Sequence, residues 1–490
     1  MTTESLTLVR FGGEVFIKAR RTRSAFMARL RDNVRDALSG DDGPPDVELG
    51  WDRLYVRSPD GPLPALARVF GISSYSPIDI VVPATLEDIV EAGGRVFADR
   101  VRGRTFAVRA RRAGRHSFSS HDVQVGLGSR LIEGSAGVDL GDPEVAVHVE
   151  VRDDRAYLYS QRVTGAGGLP LGVEGRAITL LSGGFDSAVA AWLMLKRGVA
   201  QDYVFCNLGG DAYERAVVQV GKVLADDWSY GTRPRLHVVD FAEPLDALRQ
   251  GSRERYWQVV LKRLMYRAAS LVGQELAADA IVTGEAVGQV SSQTLPNLRA
   301  IEPAADLPVF RPLIGFDKQD IIERARHIGT AVLSEQVKEY CAIAPGKPVT
   351  AAAVAAVERE EAAIDLEVVA RAVAQRRVLD LRALTPADLV APYLFIDHVP
   401  DDAVVLDCRP QHQYRHWHLP GAEQRDEYEL LQRFNKLDRD RRYVLYCAHG
   451  IQTAHIAETM QRAGYEAYSF RGGADGVRRW AAAGKAPQGR

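Results

Sequence analysis

The chain has 490 residues, a formal net charge of −2, 46% hydrophobic residues and 26% charged residues. That balance excludes disordered, fibrous and polybasic chains and leaves a globular protein of about three or four domains. No run reaches the roughly 18 apolar residues of a membrane span, no signal-like apolar core follows Met1, and four cysteines without a CxxC pair exclude a disulfide framework and a zinc site, so a cytoplasmic protein without metal ligands or membrane contact is expected.

The first segment reads as a strand, Leu6–Arg10, then a helix over Arg23–Leu38 with Phe26, Leu30, Val34 and Leu38 at helical spacing. A loop at 40–45 leads to strands between Val47 and Val56. Next come a helix over Ala84–Phe97 and an alternating strand, Arg104–Arg111. A helix over Asp122–Ile132 and a hairpin turning at Asp153-Asp154 follow. Seven arginines and no acid lie between Arg100 and Arg115. A strand that carries Arg109 and Arg111 on one face can neutralise phosphates, and a nearby aromatic can stack on an unpaired base.

The glycines and proline of 165–170 mark a boundary. Beyond it, short apolar runs (Ala177–Leu181, Tyr203–Leu208, Arg235–Val239, Ala280–Thr283) alternate with helices, the pattern of a doubly wound parallel sheet. The Ala- and Glu-rich stretch from Thr350 to Leu384 reads as a helical linker. The last segment restarts a β/α alternation at Val404–Asp407, Tyr443–Cys447 and Ala467–Phe470.

Two strand ends carry chemistry. Ile178–Leu181 runs into Ser182-Gly183-Gly184-Phe185-Asp186-Ser187 and then a helix. Strand, glycine turn and helix N-terminus make an anion site of free N–H groups. No Gly-Lys-Ser/Thr follows, so this is not a Walker A loop. Tyr443–Cys447 ends in a cysteine, and Ala448–Thr453 turns into a helix over Ala454–Gly464, whose N–H groups and dipole are expected to lower a thiol's pKa and to hold a persulfide anion. Cys206 and Cys408 lie on or beside strands and read as core.

The Ser-Gly-Gly-x-Asp-Ser string resembles the PP-loop of ATP pyrophosphatases. With Cys206–Gly210, Val260–Arg263, Thr283–Glu285, Gly288–Gln293, Arg311–Leu313, Asp317-Lys318 and Glu339–Cys341 in order, the chain resembles the tRNA 4-thiouridine synthetase family ThiI over essentially its whole length. Arg111–Ser120 resembles the core of THUMP domains. Leu406–Arg409, His416–Ala422 and Phe470–Ala474 resemble rhodanese signatures, in which Cys447 aligns with the sulfur carrier. The implied fold is multidomain α+β and α/β. It comprises a ferredoxin-like N-terminal unit (1–60), a THUMP domain (61–165), a doubly wound parallel-sheet PP-loop domain (175–348), the helical linker (349–394) and a rhodanese-like α/β domain (395–490).

The resemblance implies an ATP site of Leu180, Leu181, Ser182, Gly183, Gly184, Asp186, Ser187, Lys262, Gly284 and Gln293, with ATP and Mg²⁺ required. It implies catalytic roles for Asp186, Lys318, Cys341 and Cys447, and a Cys341–Cys447 disulfide in turnover. For tRNA it implies Arg109, Arg111, Arg112, Arg115, His116 and Phe118. The expected reaction is ATP-dependent conversion of a tRNA uridine, at position eight, to 4-thiouridine, either by direct persulfide attack or by release of sulfide. Thr453 stands where thiosulfate rhodaneses often carry a cation, which favours a protein persulfide donor. Implied partners are tRNA, a cysteine desulfurase, a thiazole-pathway sulfur-carrier protein and a second copy of the chain. The alternative is a non-catalytic tRNA-binding protein with vestigial ATP and rhodanese sites.

Overall fold

The computed structural model describes residues 5–39, 45–59, 63–208, 210–335, 347–385, 392–448 and 450–485, with Val337 and Leu389. The chain divides into two units, Met1–Leu171 and Gly172–Arg490. Among the described residues no helix is long and apolar enough to cross a membrane.

The first unit holds two five-stranded sheets. In one, Ser5–Phe11 lies centrally between Ile72–Pro77 and Arg53–Ser58, both antiparallel to it, and Val163–Thr164 closes one edge. The boundary expected at 60 therefore falls inside this sheet, which takes strands from both sides of the second one. That second sheet pairs Thr105–Ala113 in parallel with Val145–Arg152, whose hairpin partner is Arg155–Tyr159. Two helices cover it. Thr85 caps Leu86–Val101, and Ser119 with Asp122 forms a capping box on Ser120–Leu131. Each cap supplies an acceptor for the otherwise unpaired N–H groups of a first turn.

A buried ion pair links the two sheets. Arg10, 5% exposed, donates from Nε to Glu150 Oε1 at 2.8 Å, from Nη1 to Ser76 Oγ at 3.0 Å and from Nη2 to Tyr159 Oη at 2.6 Å. Arg53 and Arg152 donate to Glu150 Oε2 at 3.3 and 3.1 Å. Burial alone would raise the Glu150 pKa. The charges of Arg10 and Arg53 outweigh it and hold the group at about 2. A depressed carboxylate pKa stabilises the fold above the ordinary carboxylate range, and that contribution is lost as pH falls toward about 2. Replacing Glu150 with Ala leaves a buried guanidinium unpaired, at a cost of about 3–5 kcal/mol. Hydrogen exchange on the full chain should show protection lost together in Ser5–Phe11 and Val145–Arg152. Unchanged protection contradicts the assignment.

The second unit opens with a six-stranded sheet in the order Val309–Phe310, Ala280–Val282, Arg176–Leu180, Ala200–Asn207, Arg235–Asp240, Arg377–Asp380. All neighbours are parallel except the last pair. The chain starts at Arg176–Leu180, winds outward on one side, then returns to Ala280–Val282 on the other. The crevice beyond the C-terminal ends of these two adjacent strands is the topological switch point, where open α/β sheets bind ligands.

The expected linker is built into this sheet and its core. Val354–Ala362 and Glu367–Ala374 are helices, and Arg377–Asp380 is the antiparallel edge strand. Val357, Ile364, Val368, Val369, Ala372 and Val373 are buried with Val260, Leu264 and Ala268 of the helix Trp257–Glu275. One apolar face beneath an Ala/Glu-rich surface explains the difference: composition reads as a solvated helix, whereas spacing buries one side. A last, all-parallel sheet follows in the order Phe395–Ile396, Glu466–Phe470, Arg442–Tyr446, Val404–Asp407, Glu423–Gln424.

Candidate active site

The strand Arg176–Leu180 ends at the glycine turn, and the helix Phe185–Lys196 begins beyond Gly184. Gly183 adopts φ +76°, a conformation that side chains disfavour, with Val217 packed where its Cβ would stand. Within the turn, Ser182 N donates to Ser187 Oγ at 3.1 Å and Ser187 Oγ donates to Gly184 O at 3.2 Å. Tyr213 Oη donates to Ser182 O at 2.9 Å. The loop is thus shaped by its own serines. From the adjacent strand, Gly284 comes so close that a Cβ there would lie 2.6 Å from Asp186 C and Ser187 N. Only glycine closes this crevice.

The cavity is lined by Leu180, Leu181, Ser182, Gly184, Asp186, Ser187, Lys262, Gly284 and Gln293, every residue expected to hold nucleotide except Gly183. The N–H of Leu181 is already donated to Val204 O at 2.9 Å, so it is not a donor for a bound base. At the rim, Asp186 Oδ2 accepts from Lys318 Nζ at 2.9 Å and Oδ1 accepts from Gln289 Nε2 at 3.2 Å. Lys318 opens the helix Lys318–Ile328, which Asp317 caps and Gly329 terminates at φ +88°. That helix leaves Lys318 half-exposed at the mouth.

Sequence reasoning did not single out Glu285. It lines the cavity, is 1% exposed, and accepts at Oε2 from Tyr266 Oη at 2.5 Å, Thr283 Oγ1 at 3.0 Å and Arg311 Nε at 2.9 Å. Lys262 Nζ lies 3.8 Å from Oε1. Burial pushes the carboxyl up, but Lys262, Tyr266 and Arg311 together hold it below its ordinary value and ionised. Glu285 thus offers Lys262 a buried negative charge within ion-pair reach beside the cavity. The signal was present in Thr283-Gly-Glu285 and Arg311-Pro-Leu313, but their pairing is visible only in three dimensions.

Cys447 follows the strand Arg442–Tyr446, and the helix Ile451–Arg462 begins after Gly450, at φ +87°. Cys447 Sγ accepts from Gly450 N at 3.2 Å and Thr453 Oγ1 at 3.4 Å, and the thiol donates to Gln452 Oε1 at 3.2 Å. The expected depression of its pKa is not found. Burial, then the charge of Glu427, raises the thiol, and the donors from Thr453 and Gly450 offset only part of this. The cradle is built for an anion, but at rest it is covered. Val332 shares the core cluster of Cys447, and Gln452 Nε2 donates to Gly329 O at 3.4 Å. Arg326 stacks 4.0 Å over Tyr428, and Gln432 Nε2 donates to Glu335 Oε1 at 2.6 Å. The cysteine domain is docked on the end of the helix whose other end carries Lys318. Cys341 lies outside the described residues.

Four family descriptions match the chain in order: ThiI ferredoxin-like domain over residues 6–76, THUMP domain over 83–161, Thiamine biosynthesis protein (ThiI) over 172–366, and Rhodanese-like domain over 393–479. The tRNA sulfurtransferase of Pyrobaculum aerophilum is 38% identical over 94% of this chain and 95% of its own length. That of Desulfurococcus amylolyticus is 39% identical over 95% and 97%. The chain belongs to the ThiI tRNA sulfurtransferase family. A crystal structure of a 4-thiouridine synthetase–RNA complex with bound ATP superposes with a TM-score of 0.69 and 30% identity, over 77% of this chain and 99% of that one.

In this sulfurtransferase the arginine strand ends in an exposed cluster, Arg111, Arg112 and Arg115. Arg112 Nη1 donates to His116 Nδ1 at 3.3 Å, and His116 Nε2 faces Asp153 O at 2.6 Å, where it is the donor. Arg109 is half-buried and donates to Leu140 O. Phe118 is not a stacking platform, because it is buried in the core with Val123 and Val151. Its apolar ring serves the domain's interior, a role that a motif match alone does not separate from base stacking.

Gly284→Ala should weaken binding of a non-hydrolysable ATP analogue by at least about tenfold, or ~1.4 kcal/mol, measured by calorimetry. Unchanged affinity would contradict the close approach. Cys447 should alkylate more slowly than a free thiol at neutral pH, with a rate that climbs above the ordinary thiol range. A fast, pH-independent reaction near neutrality would show an anionic thiol instead.

Proposed function

We propose that this sulfurtransferase adenylates O4 of a tRNA uridine, at position eight, and replaces that oxygen with sulfur carried by Cys447. The carrying observation is the Asp186–Lys318 pair at the mouth of the PP-loop cavity, on a helix whose far end docks the Cys447 domain. ATP enters as substrate. N–H groups around Ser182–Ser187 hold its phosphates, and Lys318 offsets charge on the departing pyrophosphate. Lys262, facing Glu285 across 3.8 Å, adds positive charge within the cavity. Magnesium suits this donor set. Mg²⁺ takes one or two carboxylates and completes its shell with phosphate and water. Asp186 offers a rim carboxylate, and no cluster of three His, Cys, Asp or Glu exists among the described residues. When bound, the ion would neutralise phosphate charge.

Adenylation matters because a carbonyl oxygen is a poor leaving group, whereas AMP departs readily. The terminal sulfur of a Cys447 persulfide then reaches C4, directly or as sulfide freed by Cys341, and a Cys341–Cys447 disulfide results. An external dithiol reopens it. The neutral Thr453 beside Cys447 suits a cysteine desulfurase as donor better than thiosulfate. The exposed Arg111, Arg112 and Arg115 supply a phosphate-binding face for tRNA. A second copy of the chain and, through the rhodanese domain alone, a thiazole-pathway sulfur-carrier protein complete the proposed partners. An intact cavity and a complete cysteine cradle disfavour a non-catalytic tRNA-binding role.

In a reaction with tRNA, ATP, cysteine and a cysteine desulfurase, Cys447→Ala should abolish 4-thiouridine but leave AMP formation intact. Asp186→Ala should cut AMP formation by about a hundredfold or more. Thiolation retained in the first variant, or normal AMP release in the second, would overturn the assignment.

A further inference from the structure

Cys408, which reads as core in the sequence, has a partner in the fold. The strand Val404–Asp407 runs parallel to Arg442–Tyr446 with Leu406 beside Leu445 and Asp407 beside Tyr446. The ladder continues one step further, since Cys408 N donates to Tyr446 O at 2.8 Å. The next residues in register are Cys408 and Cys447. Their side chains leave the same face. Leu406, Cys408, Leu445 and Cys447 share one core cluster, whereas Val405, Val444 and Tyr446 belong to the cluster on the other side. Neighbouring strands lie about 4.8 Å apart, inside the roughly 4.4–6.8 Å between Cα atoms that a disulfide spans.

We propose that Cys408 is a second resolving thiol, which discharges a persulfide on Cys447 as sulfide and closes a Cys408–Cys447 disulfide within the rhodanese domain. The inference rests on the reading of Cys447 as the persulfide carrier. In the step, the Cys408 sulfur attacks the inner sulfur of Cys447–S–SH. The new bond is Cys408–S–S–Cys447, the bond broken is the one to the terminal sulfur, and that sulfur leaves as hydrogen sulfide with the proton from Cys408. The sulfane sulfur takes two electrons and the two cysteine sulfurs give them, so no outside oxidant enters. A dithiol reductant reopens the bridge by two successive exchanges.

The surroundings set when this happens. Burial pushes the Cys408 thiol well above the ordinary range, and negative charge on Cys447, as a persulfide anion there would carry, pushes it further. Cys408 Sγ reaches Leu406 O only weakly, at 3.9 Å, whereas Cys447 is fixed by Gly450, Thr453 and Gln452. Cys408 is therefore a slow nucleophile within reach, and it acts on a persulfide that has not been delivered. On the proposed mechanism Cys341 and Cys408 compete for the same sulfur: one couples its loss to tRNA, the other does not.

The test uses the full chain carrying Cys341→Ser, loaded with inorganic polysulfide, freed of excess reagent and left at neutral pH. Portions are alkylated, digested without reductant and read by mass spectrometry, and sulfide is measured in parallel. The expected result is a Cys447 peptide one sulfur heavier that decays as a linked Cys408–Cys447 peptide accumulates, with one sulfide released per bridge. Adding Cys408→Ala, or Cys408→Ser, should lengthen the life of the added sulfur by at least about tenfold. No linked peptide, with the same decay in both Cys408 variants, overturns the proposal. If Cys447 takes up no sulfur in any form while Cys447→Ala behaves identically, the carrier reading itself fails and the proposal falls with it.

Discussion

Gly284 lies against the peptide joining Asp186 to Ser187, closer than any side chain would allow. That contact exists because Arg176–Leu180 and Ala280–Val282 are neighbours in the sheet although about a hundred residues of chain separate them. Two βα turns meet there, so the serine and glycine loop, Asp186 and the Thr283–Glu285 turn face one cavity. The remaining chemistry is arranged around this closure. Lys318 reaches Asp186 from a third turn, and Lys262, on the helix Trp257–Glu275, lies within ion-pair reach of the buried Glu285.

The helix Lys318–Ile328 ties this site to the sulfur end of the molecule. Its 11 residues span about 16 Å. One end carries the lysine that pairs with Asp186. The other carries Arg326 and the terminating Gly329, against which Tyr428 and Gln452 are seated. The Cys447 cradle is covered in this arrangement and its thiol is held neutral. A buried, protonated cysteine resists adventitious oxidation, since the thiolate is the reactive form. On the proposed reading of Cys447 as the sulfur carrier, loading requires the domain to expose the cradle, and delivery requires it to meet the nucleotide cavity. The strand Arg377–Asp380 fastens the preceding chain to the ATP sheet, so any such movement begins after it.

Much of this was legible in the sequence, for a physical reason. Ser182–Ser187 encodes its own loop, because glycine, a helix start and two hydroxyls act locally. The parallel strands announce themselves as short apolar runs. What escaped were contacts between residues far apart in the chain. Arg10 and Glu150 look like surface charges until two sheets bury them together, and Glu285 reads as one acid among many until Tyr266, Arg311 and Lys262 surround it. The segment Val354–Ala374 reads as a linker because alanine and glutamate are frequent in it, while Val357, Ile364, Val368, Val369 and Val373 bury one face in the ATP-domain core. Phe118 and Cys447 show the complementary error: a motif places a residue in a site but does not say whether the fold leaves it exposed.

The central claim is that ATP is spent on the oxygen that sulfur replaces. Isotope transfer tests it most directly. The sulfurtransferase would be given ATP, a sulfur source and a tRNA whose target uridine carries ¹⁸O at position four, and the AMP would be analysed by mass spectrometry. The account predicts one ¹⁸O in AMP for each 4-thiouridine formed, because O4 leaves as a phosphate oxygen of AMP. Thiolation with the label in water or inorganic phosphate, and none in AMP, would contradict it.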